Sequence, residues 1–173
     1  MQPVFCKTYP GFQEDELKAV RAKYGLRRAD RFTSMAIAGI DHALEEKPVQ
    51  DCALITATCF GPHKTVFATL DDILDYPEDQ ILPTKFSHSV HNAASSYISS
   101  ALKIHGPSFA VSGFEHIEEQ ATLLARTLLD ASMAGNAIVV VIEEAGLLTE
   151  TAQSLLPERF KDKIDDIVKV FLY

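Results

Sequence analysis

The sequence has little basic charge, few cysteines and no long apolar run. Lys and Arg number 16 against 24 Asp and Glu, a formal net charge of −8. That deficit argues against a nucleic-acid binder, which needs a basic face to meet phosphates. It also weighs against acidic carrier proteins and membranes as partners of the average surface. One dense basic cluster, Arg21, Lys23, Arg27, Arg28 and Arg31, could override the average locally. The three cysteines, Cys6, Cys52 and Cys59, are odd in number and lack C-x-x-C spacing. They support neither a disulfide framework nor a zinc site. Cys52 and Cys59 bound a strongly apolar stretch, where a buried, inert thiol is the ordinary outcome. No stretch reaches the roughly 18 apolar residues of a membrane span, and the first residues lack the basic-then-apolar layout of a signal peptide. A soluble, cytoplasmic protein is expected. Glycine-rich phosphate loops are absent, since Gly61 stands alone. Ser112-Gly113 is no nucleophile elbow, because Ala110 stands where the first glycine would be.

What is present suits one domain over residues 1–173 with a buried core. Residues 3–8 alternate weakly and predict a short strand, with Tyr9-Pro10-Gly11 as a turn. Asp30 can cap a helix over 31–46, in which Phe32, Met35, Ala36, Gly39, Ile40, Ala43 and Leu44 share a stripe and Pro48 follows. Residues 52–59 read as a buried parallel strand. Val66, Phe67, Leu70, Ile73 and Leu74 give a second helical stripe, closed by Tyr76-Pro77. A third helix runs from Ser87 or Ser89 to about Ile104, buried through Ala93, Ala94, Tyr97, Ile98, Ala101 and Leu102 and stopped by Gly106-Pro107. A short strand at 108–112 precedes a long helix over 115–134, with Ile117, Ala121, Leu124, Leu128 and Met133 at helical spacing. The continuous apolar run 137–142 is the clearest strand. Residues 145–165 are polar, with a short helix at 154–160, and 167–173 alternate as a closing strand. This order predicts an α/β sheet, its last strand antiparallel after a non-helical connection. Ending on a completed strand argues against a truncated product.

Three stretches carry a resemblance: Arg27-Arg28-Ala29-Asp30-Arg31-Phe32-Thr33, Ser89-Val90-His91-Asn92-Ala93-Ala94, and Gly106-Pro107-Ser108-Phe109-Ala110-Val111 leading to Glu115. Together, over roughly residues 25–145, they resemble the N-terminal half of β-ketoacyl synthases. The resemblance implies a thiolase-like half fold: a mixed five-stranded sheet covered by helices on both faces. In that family the Gly-Pro-Ser strand leads to a cysteine at a helix N-terminus, where free amides and the positive helix end lower a thiol pKa and stabilise an oxyanion. Counted without a gap, that position is Glu115 here. No cysteine follows Cys59, and a carboxylate cannot form the thioester. Full synthases also carry two catalytic histidines on a second half that this chain lacks. The resemblance therefore implies no catalytic residue, no cofactor and no metal.

His88, His91, Glu115 and His116 do form a formal ligand pattern. The better reading gives His91 to the family's helix-start motif, bonded locally. Glu115 as a general base would require a buried carboxylate at a pocket. The acidic residues Asp71, Asp72 and Asp75, and the run Lys161-Asp162-Lys163 with Asp165-Asp166, read as solvated faces. In ketosynthases the Gly-Pro-Ser strand pairs antiparallel with its twin across the dimer axis, and an uncovered apolar edge beside Val111 would be an aggregation hazard. The resemblance thus implies a dimer with itself or with a full-length ketosynthase, a chain-length-factor-like arrangement that serves fatty acid, polyketide or aryl polyene synthesis, with acyl carrier protein met only indirectly. Interface and pocket residues would be Ser89, Asn92, Tyr97, Ser108, Phe109, Val111, Phe114 and Glu115. The rival expectations are a Glu115-dependent malonyl decarboxylase and a homodimeric acyl-binding module.

Overall fold

A computed structural model describes residues 2–45, 49, 51–160 and 164–173. Two continuous apolar runs form its centre. β2 (Cys52–Thr58) and β4 (Asn136–Glu143) are buried along nearly their whole length and pair in parallel. Such runs need cover on both faces, and side-chain alternation divides them accordingly. Leu54, Ile138, Val140 and Ile142 join Phe32, Met35, Ile37 and Ile98 on one face. Ala53, Ile55, Val139 and Val141 join Ala121, Ala125 and Leu128 on the other. The first face is covered by α1 (Glu14–Lys23), α2 (Arg31–Leu44) and α5 (Ala93–Leu102), the second by α6 (Ile117–Asp130).

The sheet has five strands in the order β1-β5-β4-β2-β3. β1 is Phe5–Pro10, β3 is Ser108–Ser112 and β5 is Ile167–Leu172. β3 adds to β2 in parallel, while β5 runs antiparallel to β4 and to β1. The mixed sheet and its antiparallel last strand agree with the sequence. Among the described residues, no helix is long and apolar enough to cross a membrane.

Asp30 caps α2 as expected, its carboxylate accepting from the Thr33 N–H at 2.9 Å. The helix ends at Leu44 with Glu45 left-handed; Pro48 lies outside the described residues. Several boundaries differ from the sequence reading. β1 runs through Tyr9-Pro10, because on an edge strand a proline sacrifices no ladder bond, and the turn falls on Gly11 at φ +68°. α1 was not foreseen, since only Leu17 and Val20 of its ten residues are buried. The stretch read as one helix from 87 or 89 is two: α4 (Pro83–His88), then α5 from Ala93. α6 stops at Asp130, which leaves Met133 exposed and not on the buried face. The connection to β5 holds a helix after all, α7 (Leu147–Leu155), earlier than residues 154–160.

α3 (His63–Asp75) is the most informative surprise. Its buried residues are His63 and Thr69, whereas Leu70, Ile73 and Leu74 on its apolar stripe are exposed, Leu74 at 82%. Gly106 shows why the Gly-Pro-Ser strand starts as it does. A Cβ there would lie 2.3 Å from the Cys52 carbonyl oxygen, a backbone atom that cannot swing aside. Gly106→Ala is expected to cost about 2 kcal/mol, the scale of overpacking, read as a lowered urea midpoint. An unchanged midpoint would show that β2 and β3 can separate freely.

Candidate functional site at the strand ends

β2, β3 and β4 are parallel, so their C-terminal ends lie along one side of the sheet, where open α/β folds bind ligands. Three segments meet there. After β2, Gly61 takes φ +63° and a Cβ would meet the His91 ring at 2.5 Å, so glycine permits both the turn and the stacked imidazole. After β3 come Gly113, Phe114, Glu115 and His116. β4 ends on Glu143, and Glu144 follows. Cys59, Phe60, His91, Gly113, Phe114 and Leu148 surround a cavity of about 330 Å³ between them.

The turn into α6 is sharp, but its left-handed residue is His116 at φ 52°, one position beyond Glu115. Glu115 is exposed, and its Oε1 accepts from Arg159 at 2.6 Å. Arg159 also lies over the Phe114 ring, 5.7 Å from its centroid, and Phe160 packs on Phe60 at 5.6 Å. The segment after α7 therefore folds back on the turn. The buried carboxylate that a general base at Glu115 would require is not what the structure has.

Nor do the histidines gather. His88 is buried against Tyr97, its Nε2 3.0 Å from the hydroxyl, and His91 rests on Gly61, with no hydrogen bond among the described residues. His116 faces Glu119 at 3.8 Å. Among the described residues, no group of three or more His, Cys, Asp or Glu is placed to hold a metal.

Cys52 and Cys59 are as inert as their surroundings imply. Burial pushes the Cys52 thiol up to about 11. Burial, followed by the adjacent Glu143, pushes Cys59 up to about 12. Neither supplies a thiolate near neutral pH. Glu143 is a residue that the sequence reading passed over. Its carboxylate accepts from the Cys59 and Phe60 amides and from the Thr58 hydroxyl, so the anion-accepting amides at the end of β2 are already filled. Burial raises Glu143 to about 7 against those bonds. The available signal was a pair of carboxylates directly after an apolar run.

The basic cluster is largely neutralised. Arg21 pairs with Glu14 at 2.6 Å, Lys23 with Asp41 at 2.8 Å and Arg31 with Asp166 at 2.5 Å. Asp166 is therefore not a solvated residue; it also accepts from the Ala145 amide at 2.9 Å. Asp72 likewise pairs with Lys85 at 2.5 Å. Lys161, Asp162 and Lys163 lie outside the described residues.

The expected interface residues fall into two groups. Ser108, Phe109 and Val111 lie on β3, the sheet's edge, with Phe114 and Glu115 at its end; four of the five β3 residues are exposed. Ser89, Asn92 and Tyr97 belong to the α4–α5 region, of which His91 shares the small cavity with Ser112, Gly113 and Phe114. Tyr97 itself turns inward to His88.

The model of the β-ketoacyl synthase N-terminal domain matches residues 11–149. The chain belongs to that family. No curated protein sequence matches it. Among solved structures, it is similar to the ketosynthase ApeO in complex with its chain length factor ApeC from Xenorhabdus doucetiae. Identity is 19% and the TM-score 0.70, over 99% of this chain and 77% of that one. It is also similar to the ishigamide ketosynthase/chain length factor, at 18% identity and TM-score 0.66 over 94% and 48% of the two chains. A β-ketoacyl synthase from Burkholderia phymatum STM815 aligns at 9% identity and TM-score 0.62, over 94% and 46%. At these identities the likeness is one of fold, a thiolase-like ketosynthase half. The chain spans less than half the length of the last two.

Proposed function

We propose that this ketosynthase-family chain is a non-catalytic, chain-length-factor-like subunit that pairs with a full-length ketosynthase and shapes its acyl pocket. The reading rests chiefly on β3: the Gly-Pro-Ser strand is bonded on one side only and exposed along most of its length. An unpaired edge is a template for another strand. The outward apolar residues of α3, together with Leu82 and Phe86 around α4, extend the uncovered surface, which monomers rarely present. The solved complex of ApeO with its chain length factor supports the same reading, because the aligned chain there is only modestly longer than this one. Glu115 in place of a thiol, ion-paired with Arg159, supports a subunit that leaves the chemistry to its partner.

Co-expression with a full-length ketosynthase from the same source tests the proposal. A 1:1 complex that survives gel filtration is expected. A stable homodimer that never co-purifies with the ketosynthase would instead favour a homodimeric acyl-binding module. Malonyl decarboxylation by the isolated chain, lost in Glu115→Ala, would overturn the non-catalytic part of the reading.

A further inference from the structure

A cavity of about 630 Å³ lies away from the strand ends, between the approach to α2 and helices α3 and α4. That volume is within the range of small-molecule sites, about 300–1,000 Å³. Its hydrogen-bonding groups are unevenly committed. The acceptors are taken: Asp30 receives the Thr33 N–H at 2.9 Å on one oxygen and the Thr65 hydroxyl at 2.8 Å on the other. Donors remain. Arg28 and the Thr84 hydroxyl have no partner among the described residues. Lys64 Nζ faces Glu144 at 4.0 Å, an ion pair without a hydrogen bond, so its N–H donors are still open.

His88 gives the second, independent observation. It is 4% exposed, it lines the cavity, and its Nδ1 has no partner. In the tautomer in which Tyr97 donates to Nε2, the ring proton sits on Nδ1 and makes it a further donor. A buried polar atom without a partner in a native fold calls for an explanation. The remaining walls, Ala68, Leu82 and Pro83, are apolar. Lys85 lines the cavity too, but is neutralised by Asp72.

We infer that this cavity binds an amphipathic free carboxylate: an anionic head held by Arg28, Lys64, Thr84 and His88, and an apolar tail along Ala68, Leu82 and Pro83. The open donors, with Arg28 and Lys64 beside the committed Asp30 carboxylate, favour a charged acceptor, which a thioester lacks. The apolar walls disfavour a bare inorganic anion. The site does not touch the turn at Glu115, and the inference stands whether or not the chain pairs with a ketosynthase.

Calorimetric titration of the purified full chain with octanoate tests it, with 1-octanol and inorganic phosphate as the other probes. One saturable octanoate site is expected, with both other probes at least about tenfold weaker. Arg28→Glu should weaken octanoate by at least about tenfold, and its exposed position leaves the fold intact, checked by an unchanged melting curve. Lys64→Gln should act in the same direction. No saturable binding at millimolar octanoate overturns the inference. So does equal binding of 1-octanol, which would mean an apolar groove only, or equal binding of phosphate, which would mean an adventitious anion only. Octanoate binding unchanged in both folded variants would place the ligand elsewhere and overturn it as well.

Discussion

Ala110→Pro is expected to abolish association through β3 while leaving the chain folded. The ladder makes this prediction specific. Leu54 N–H bonds to the Pro107 carbonyl and Gly113 N–H to the Thr58 carbonyl. In a parallel pair the bonded residues alternate, so 107, 109, 111 and 113 face β2, whereas Ser108, Ala110 and Ser112 aim their N–H and C=O groups outward. A proline at 110 removes the central outward donor and no bond within the chain. Edge strands tolerate proline for that reason. Loss of the ketosynthase complex by at least about 100-fold in Kd, or about 3 kcal/mol, should accompany a urea midpoint close to wild type. Ala110→Lys is the companion variant: it keeps the backbone donor, and an edge lysine blocks strand addition by charge. A complex within tenfold of wild type in both variants would move the interface off β3, towards the exposed faces of α3 and α4.

How much of this was legible in the sequence follows from burial. β2 and β4 were clear because strands buried on both faces must be largely apolar, and α2 because Asp30 opens a stripe that the sheet, α1 and α5 together enclose. The motif positions also held: Asp30 caps, Gly106 makes room for the Cys52 carbonyl, and β3 carries Phe109 and Val111. α1 was illegible because two buried side chains leave almost no periodic signal. Its capping pair, Gln13 and Glu16, and its acidic first turn and basic last turn were the only cues. The apolar stripe of α3 was visible, but periodicity records amphipathicity and not which partner covers it. Among the described residues, Leu70, Ile73 and Leu74 are left uncovered. The buried carboxylates were passed over for a related reason: Glu is rarely enclosed unless paired, so composition argues against them until the strand ends are seen side by side.

Glu144 carries the other large prediction. It is 1% exposed and neither oxygen has a hydrogen-bond partner among the described residues; the closest cation is Lys64 at 4.0 Å. Burial raises it to about 7, from an ordinary value near 4.5. A carboxyl whose folded pKa is raised binds more protons folded than unfolded. Its contribution is complete below the unfolded value and is lost as pH rises through the folded one. Glu143 acts in the same sense. His63, buried and held below its usual value, acts in the opposite sense as pH falls through the histidine range, so the wild-type curve alone is a mixture. Comparison with Glu144→Gln isolates one group, because the amide keeps the shape and removes the titration. Relative to wild type, the variant should gain about 2 kcal/mol between pH 5 and pH 8, measured by urea unfolding at both values. Parallel curves across that window would mean that Glu144 is solvated or paired in solution, and that the buried, unpartnered carboxylate beside Lys64 and the cavity is not a feature of the folded protein.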